Sequence, residues 1–542
     1  MKNKIHILKS ILLFLIATFA IPLQSHATEY YVDTNAPSAS DSNPGTAGQP
    51  WKTISKANQT LIAGDVVYIK AGTYATYINP SNSGTAIYPI TYCNYANDIV
   101  TISSAAYAVY LNGKSYIKVN GINSTGCTQN LYIRNGAHYN TISNCTFTLP
   151  SLSTWNTSVI YGGNYNWIHH CTFSKGGECT SQGSDNGSLL DIGDDYGVAG
   201  NGAHYNLVED CTFFHGGHHL VGLFSTYNTF RNNYLHNEAW SRSRGNRNLM
   251  TDGGNAAGTE STGYNLIEGN RFGYAAPPCD DPTVGNVILS SPYNILRYNK
   301  LYHHNAYGIG IYAYQYCTGS NNKVYNNTVF NSGYGIDPGY AHSSEDATVS
   351  FFFTKTVNNI FKNNLFFAYY QVFGGSPRTL QIYANNWEGD TQGNPNFVNA
   401  STTPPTDKTN STLPDLDLQS NSPAINRGGP LTTVTSATGS GISLNVENAS
   451  YFQDGIYGPP GVLQADWIAV GTVANIVQIS SISGNTINLA NSISWTNGAS
   501  VWLYKKSDGV RVLYGSAPDA GAYEFSQAQA PSPPKNLTVI SP

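Results

Sequence analysis

Charged side chains are scarce in this 542-residue chain and make up only 11% of it. The 27 Lys and Arg residues are outnumbered by 32 Asp and Glu residues, and the net charge of -5 comes without any basic cluster. Proteins that bind nucleic acid rely on Lys and Arg to neutralise phosphates and release counterions. We therefore predict that nucleic acid is not a partner.

Long hydrophobic runs are also lacking. The longest apolar run covers residues 11 to 21, which falls short of the roughly 20 residues that span a bilayer. It follows three lysines and precedes small residues at positions 25 to 27, which is the pattern of a signal peptide. We expect residues 1–27 to be removed and the mature chain to be secreted, without a transmembrane segment.

Glycine, tyrosine and asparagine dominate what is present. The chain has 53 Gly and 39 Tyr, and this composition disfavours long helices and favours strands joined by tight turns. The predicted class is all-β.

The most regular feature is a repeat in which Asn is followed by an apolar residue at +2, by Cys or Asn at +5, and by an apolar residue at +7. The first copy reads Asn140, Ile142, Cys145, Phe147. Further copies are anchored at Asn166, Asn206, Asn228, Asn265, Asn294, Asn322 and Asn359. Anchors 22 to 40 residues apart, with apolar residues alternating, predict a right-handed parallel β-helix whose coils stack at about 4.8 Å.

Position +5 of the repeat is Cys in three coils and Asn in five. Stacked amides at one corner can hydrogen-bond from coil to coil, so we predict an internal ladder there. Because Cys145, Cys171 and Cys211 occupy equivalent ladder positions, they are expected to be buried thiols. Disulfides between Cys279 and Cys317, or between Cys93 and Cys127, stay open as alternatives.

A second strand lies upstream of each anchor, and the longest insertions flank it in the coils anchored at Asn206 and Asn265. The insertions are expected to wall a groove over this strand. The predicted strands are residues 130–134, 158–161, 188–192, 220–224, 248–252, 286–290 and 308–312.

Both ends of the mature chain resemble secreted β-helix proteins of the pectate-lyase-like superfamily. The N-terminal resemblance lies in YYVDTN at 30–35, DSNPGT at 41–46 and PWKTI at 50–54, and the C-terminal one in LQSNSPAINRG at 418–428 and PDAGAYEF at 518–525. It implies a capped β-helix over residues 28–430. An alternating pattern predicts a small inserted β module at 431–514, followed by a closing strand at 515–526 and a Pro-rich tail or linker at 527–542.

Strand alternation indicates which acidic residues face the predicted groove. If Leu190 and Ile192 point inward, Asp191 points outward beside Gly222 of the next coil, and Asp252 points outward two coils further on. The two carboxylates would then be on the order of 11 Å apart, which is far too long for a retaining glycosidase pair.

Asp191, Asp194 and Asp195 follow one another closely, with Asp185 upstream. Clustered carboxylates of this kind suit calcium, which in lyases of acidic polysaccharides bridges the protein and the substrate carboxylate. A solvated Asx-rich loop is the alternative.

Histidines and arginines supply the other candidate groups. His218 and His219, at the end of the segment HGGHH, are candidate bases, because neutral imidazole abstracts protons at neutral pH; turn histidines bonded to backbone are the alternative. Arg242, Arg244 and Arg247 could neutralise a uronate carboxylate or form a solvated basic loop.

Three tyrosines continue outward after a groove strand, and we expect Tyr312 and Tyr314 to contact sugar. His303 and His304 are expected to enter a groove strand as well. Lys300 should point outward on another face, away from the site.

These features predict a secreted, monomeric, carbohydrate-active protein. The favoured activity is a lyase that cleaves an acidic, uronate-containing polysaccharide by β-elimination, with calcium as a possible cofactor. Two alternatives stay open: a glycoside hydrolase using Asp191 with Asp252 or Asp195, and a non-catalytic surface or matrix protein that binds glycan.

Overall fold

Three parallel sheets wind around one core in a computed structural model of the chain, which confirms the predicted right-handed parallel β-helix. The structure describes residues 27–148, 157–176, 187–194, 201–216, 219–237, 247–252, 262–275, 285–304, 306–313, 318–333, 347–351, 356–375, 378–403 and 413–525. The predicted signal peptide and the predicted Pro-rich tail therefore lie almost wholly outside the described residues.

A complete coil contributes one strand to each sheet, and the coils at the ends lack one or two of these strands. The first sheet has 13 strands: Glu29–Val32, Val66–Ile69, Ile90–Asn94, Ile117–Asn120, Thr141–Ser143, Trp167–His169, Leu207–Glu209, Thr229–Arg231, Leu266–Glu268, Ile295–Arg297, Lys323–Tyr325, Ile360–Lys362 and Ile382–Ala384. The second sheet has 12: Gly72–Tyr74, Val100–Ser103, Ile122–Thr125, Thr146–Thr148, Thr172–Gly176, Thr212–Gly216, Tyr234–Asn237, Arg271–Ala275, Lys300–His304, Thr328–Ser332, Leu365–Tyr369 and Trp387–Glu388.

The third sheet contains the strands predicted upstream of each anchor. Its ten members are Val109–Asn112, Leu131–Arg134, Ser158–Tyr161, Leu190–Gly193, His219–Phe224, Arg247–Thr251, Gly285–Leu289, Tyr307–Ile311, Ala347–Phe351 and Phe373–Gly375. Helical segments are short: Ile54–Thr60, Gly389–Gln392 and a 3-10 turn at Arg378–Leu380.

The +2 and +7 residues of the repeat fill the core, as predicted. Ile142, Phe147 and their equivalents in the later coils are buried in one continuous cluster. Because identical positions stack in register, aromatic rings meet from coil to coil, as Phe173 and Phe213 do at a centroid distance of 4.9 Å.

Two amide ladders run along the interior, one at the anchor Asn and one at +5. In the anchor ladder each backbone N–H donates to the side-chain oxygen of the next anchor at 2.8–3.0 Å, from Asn140 through Asn359 to Gln381. In the second ladder the same bond links Cys211 to Asn233 and continues to Asn386. The predicted +5 ladder is confirmed, and the anchor asparagines form a second ladder with the same hydrogen bonds.

The five described cysteines are all free thiols. Cys145, Cys171 and Cys211 are buried in the core, as predicted. The Cys93–Cys127 disulfide is wrong, because the Cys93 thiol donates to the Val67 carbonyl whereas the Cys127 thiol donates to that of Ile102. Cys279 and Cys317 lie outside the described residues.

A six-stranded antiparallel sheet makes up the inserted module of residues 431–514. Its strands are Thr432–Thr433, Gly439–Asn445, Trp467–Val470, Ile476–Ser483, Thr486–Trp495 and Ser500–Lys505. The module docks on the outer face of the first sheet through a buried ion network. Arg297 binds Glu268 of the adjacent coil and Asp466 of the module, and all three side chains are fully buried.

The residues around the module depart from regular coils. Between the last coil and the module, Phe397–Asn399 and Asp415–Leu418 form an antiparallel pair. Residues 515–525, expected to be a closing strand, contain no strand. The Asp519 carboxylate accepts the backbone N–H groups of Asn426 and Phe525. Side-chain oxygens therefore replace the backbone acceptors that a strand would provide.

No helix of the described residues is long and apolar enough to cross a membrane.

Asn299→Ala is expected to lower the free energy of unfolding by about 3 kcal/mol or more, because it leaves the backbone and side-chain N–H groups of Asn270 without their shared acceptor inside the core. The measurement is urea denaturation followed by far-ultraviolet circular dichroism. Asn123→Ala is the control, since Asn123 faces outward on the strand Ile122–Thr125. Equal midpoints for the two variants would contradict a stabilising ladder.

Asp466→Asn is expected to lower the free energy of unfolding by about 3 kcal/mol or more, because it leaves Arg297 buried with one carboxylate fewer. Limited proteolysis should then cut near the module boundaries much faster than in the wild type. Glu447→Gln, which changes an exposed carboxylate of the same module, serves as the control. Unchanged cleavage in Asp466→Asn would show that the module docks by other contacts.

Candidate active site

The outer face of the third sheet carries the candidate site. One register position runs across it through Tyr110, Tyr132, Val159, Asp191, Gly222, Met250, Ile288, Gly310 and Ser350. Leu190 and Ile192 belong to the core. The predicted outward orientation of Asp191 beside Gly222 is therefore confirmed.

Asp191 and His219 form a buried pair. The His219 Nε2 atom lies 3.0 Å from the Asp191 Oδ1 atom, and the two side chains are only 7% and 3% exposed. His219 begins its strand one coil after Asp191, so coil stacking brings together residues 28 positions apart. An ionised carboxylate can only accept, so Nε2 must donate, and Nδ1 is then the basic nitrogen of the neutral ring.

Gly222 provides the space for this pair. A Cβ atom at Gly222 would lie 2.3 Å from the Phe224 ring and 2.6 Å from Asp191 Oδ1. The Phe224 ring meets the His219 ring edge to face at 5.5 Å. The glycine thus lets an aromatic ring and a carboxylate share the surface of one coil.

Arg247 is the direct neighbour of His219 on the next coil, since their Cα atoms pair in the parallel ladder. Its side chain is only partly buried. Beyond it, a Cβ at Gly285 would lie 1.9 Å from the Tyr307 ring, so that ring covers Gly285. A carboxylate, an imidazole and a guanidinium therefore occupy three successive coils.

The later coils of this face are mainly apolar. Phe224, Met250, Ile288 and Tyr307 are buried together, with Tyr312 packed against them. The Tyr312 hydroxyl lies 3.3 Å from that of Tyr307, so this tyrosine is on the predicted face. Asp252 follows Met250 at the predicted position and is buried.

Several predicted site residues lie outside the described residues: His218, Arg242, Arg244, Asp195 and Tyr314. Most of the insertions expected to wall the groove, including residues 177–186, 195–200, 238–246 and 253–261, lie there as well.

The aspartates predicted to hold calcium have protein partners where they are described. Asp191 pairs with His219, and Asp194 accepts a hydrogen bond of 2.7 Å from Asn201. Within the described ranges, no group of three or more His, Cys, Asp or Glu side chains converges on a point that could hold a metal. Calcium stays a prediction, and no chemical step is derived through it.

His303 and His304 do not enter a groove strand, contrary to the prediction. They end the strand Lys300–His304 of the second sheet and are fully buried. Burial lowers the pKa of His303 to about 4 and holds the pKa of His304 well below its usual value. Burial thus disfavours the charged form of both rings, which belong to the packing of a coil corner.

Lys300 lies on the outer face of the second sheet, away from the site, as predicted. Its ammonium group binds Asp417 at 2.8 Å and lies over the Tyr523 ring. Burial is the main cause that lowers the pKa of Lys300, to about 8. The lysine fastens the C-terminal segment to the coils.

Phe224 and Tyr307 are parts of the site that the sequence analysis missed, as is the space that Gly222 leaves for them. Alternation from Asp191 places Gly222 and Phe224 on the outer face, but their contact with the carboxylate depends on ring rotamers.

Two cavities of about 390 and 330 Å³ open elsewhere, between the first sheet and the inserted module. No His, Asp or Glu lines the larger one.

Comparisons with known families agree with this fold. Residues 30–172 match the model of a Pel9A-like right-handed β-helix region, and residues 107–246 match that of a right-handed β-helix region. Both matches lie within the three-sheet coil, and each covers less than half of the chain. They confirm the resemblance to pectate-lyase-like β-helix proteins in this part of the molecule.

A 62-residue segment is 40% identical to Uncharacterized protein YwoF of Bacillus subtilis (strain 168), which covers 11% of this chain and 13% of that protein. The chain thus matches a small part of this relative's length.

Solved structures with a similar course include the pectate lyase Pel9A, with a TM-score of 0.46 and 17% identity over 76% of this chain and 94% of that one. A rhamnogalacturonan lyase has a TM-score of 0.41 and 18% identity over 73% and 96%. An alginate lyase from Paenibacillus sp. str. FPU-7 has a TM-score of 0.43 and 14% identity over 61% of this chain and 97% of that one. At these values the likeness concerns the fold alone.

Gly222→Ala is expected to break the Asp191–His219 hydrogen bond and to lower the free energy of unfolding by about 1–3 kcal/mol, because the new methyl group displaces Phe224 or the carboxylate. The 15N shifts of the His219 ring report the bond directly. Gly48→Ala, where a Cβ meets nothing within 4 Å, is the control. An unchanged His219 spectrum in Gly222→Ala would contradict this packing.

Proposed function

We propose that the protein is a carbohydrate-active β-helix protein that cleaves a uronate-containing polysaccharide by β-elimination on the outer face of the third sheet. The observation that carries the proposal is the buried Asp191–His219 hydrogen bond of 3.0 Å, with Arg247 on the adjacent coil. The lyases named among the structural neighbours are consistent with this substrate class.

His219 is the proposed base. A positioned imidazole is effective in proton abstraction near neutral pH. Asp191 fixes the ring orientation and the tautomer, which leaves Nδ1 to take up the proton, and its negative charge stabilises the imidazolium that forms. Burial keeps competing water away from this bond.

Arg247 is the proposed partner of the substrate carboxylate. Loss of the C5 proton places negative charge on the uronate carboxylate in the transition state. A guanidinium beside that group neutralises the charge and binds both oxygens at once. Because Arg247 and His219 are neighbours in the ladder, one uronate can meet both side chains.

The reaction needs no added oxidant or reductant. His219 takes the C5 proton, and the electron pair of the C5–H bond becomes the C4=C5 double bond. The C4–O4 bond breaks, its electron pair leaves on O4, and O4 takes a proton from solvent water as the new chain end departs, while His219 later returns its proton to solvent. The product carries an unsaturated uronate that absorbs in the ultraviolet.

The proposal includes an extracellular location, which rests on the N-terminal sequence, and a monomeric state. It also keeps calcium as an optional cofactor. Hydrolysis by paired carboxylates is less consistent with Asp191, since its Oδ1 already binds His219.

The test is ultraviolet absorbance on polygalacturonate, rhamnogalacturonan and alginate, each with added calcium and with a chelator. His219→Gln should lower kcat about 100- to 10,000-fold, since it removes the base. Arg247→Gln should lower kcat about 100- to 1,000-fold, since it removes charge stabilisation in the transition state. His169→Gln, on the outer face of the first sheet, should retain wild-type activity.

Absence of unsaturated product on every polymer, with and without calcium, would rule out the lyase. New reducing ends without ultraviolet absorbance would instead indicate a hydrolase, in which case Asp191→Asn and Asp252→Asn should abolish their release. Retention of a polymer without any product would indicate a glycan-binding protein.

A further inference from the structure

Five tyrosines cluster on the outer face of the third sheet, on the N-terminal side of the candidate site. They are Tyr77, Tyr107, Tyr110, Tyr132 and Tyr161, and all are partly exposed. Tyr107 lies 4.6 Å from Tyr110 and 5.5 Å from Tyr132, centroid to centroid, with nearly parallel rings. Tyr161 meets Tyr132 edge to face at 6.2 Å.

Arg134 lies within this cluster. Its guanidinium carbon is 5.4 Å from the centre of the Tyr132 ring, and one terminal nitrogen donates to the Tyr132 hydroxyl at 3.5 Å. Its Nε atom is buried and makes no hydrogen bond. A buried guanidinium N–H without an acceptor is costly unless a ligand supplies one.

Among the described residues, no carboxylate pairs with Arg134. Residues 99–177 contain neither Asp nor Glu, and Arg134 takes part in none of the ion pairs among the described residues. The other cations of this stretch are Lys114, Lys118 and Lys175. Residues 99–177 therefore carry a net positive formal charge, in contrast to the chain as a whole.

The cluster is aligned with the candidate site. Tyr132 and Asp191 share one register position, separated only by Val159 on the coil between them. Two coil spacings correspond to about 10 Å along the sheet, so one oligosaccharide chain can reach both places. Arg134 pairs with Tyr161 two register positions further along the strand, on the same outer face.

We propose that Arg134 and the tyrosines around Tyr132 form a separate binding subsite for a uronate of the polysaccharide. The guanidinium binds the carboxylate in two-point fashion, and the phenol rings pack on the apolar face of the sugar. The inference rests on the proposed function in taking the ligand to be the same acidic polysaccharide. It assigns no bond-breaking role to these residues.

A second tyrosine assembly, on the first sheet, lacks the arginine. Tyr116, Tyr139, Tyr165, Tyr205, Tyr227, Tyr264 and Tyr293 form a single column in which each ring stacks on the next at 4.7–5.4 Å. Within the column both faces of each inner ring are covered by neighbours. No arginine of the described ranges lies over these rings, so Tyr293 provides a matched control.

The test is affinity electrophoresis with polygalacturonate and alginate, each beside its carboxyl-reduced counterpart. It is carried out in a His219→Gln background, so that binding is measured without cleavage. Arg134→Gln should weaken binding of a uronate polymer about tenfold or more, and Tyr132→Ala roughly threefold to tenfold. Arg134→Lys should fall between, since it keeps the charge without the two-point geometry.

Lys118→Gln, an exposed cation on the first sheet, and Tyr293→Ala should leave binding within about twofold, which excludes a general effect of charge or aromatic content. Carboxyl-reduced polymer should bind weakly and respond little to Arg134→Gln. The subsite is overturned if Arg134→Gln leaves binding unchanged, if its effect is equal on the reduced polymer, or if neither uronate polymer binds the parent.

The outcome is independent of catalysis. Arg134-dependent binding without unsaturated product would retain the subsite and remove the lyase. Cleavage that depends on His219, with binding and KM indifferent to Arg134, would retain the lyase and remove the subsite.

Discussion

The hydrogen bond between stacked asparagines is the interaction on which the rest of the molecule depends. At the anchor corner of the coil the chain turns, and the anchor backbone N–H bonds to a side-chain oxygen instead of a strand carbonyl. The side-chain oxygen of Asn228 accepts the backbone N–H of Asn206, and the side-chain N–H of Asn206 donates to the Gly163 carbonyl of the preceding coil. Buried polar groups left without such partners would each cost about 1–3 kcal/mol.

Because the buried polar groups are hydrogen-bonded within the ladders, the outward-facing residues are not needed to hold the coil together. Because the ladders and the apolar +2 and +7 positions fix the coil, the outward positions can differ from coil to coil at little cost. The first sheet uses them to dock the inserted module through Arg297 and Asp466. The second sheet holds the C-terminal segment with Lys300 and Asp417. The third sheet has tyrosines and Arg134 at its start and Asp191, His219 and Arg247 further on.

Small residues decide how the third sheet accommodates large side chains. Gly222 makes room for Phe224 and the Asp191 carboxylate, and Gly285 makes room for the Tyr307 ring. The site is therefore built from pairs of coils, in which one coil supplies a group and its neighbour supplies the space. Substitution of these glycines should disturb the site as much as substitution of the polar residues.

The sequence by itself determined the coil. The repeat from Asn140 to Phe366 predicts the fold and the interior, and strand alternation predicts that Asp191 faces outward, because both follow from local periodicity. Only the tertiary structure decided what Asp191 meets, since its partner His219 comes from the next coil and the distance between them depends on register. It also decided that His303 and His304 are buried in a corner, that Cys93 and Cys127 stay apart, and that Arg297 meets Asp466. Contacts between residues as far apart as the 169 positions separating that last pair leave no periodic trace in the chain.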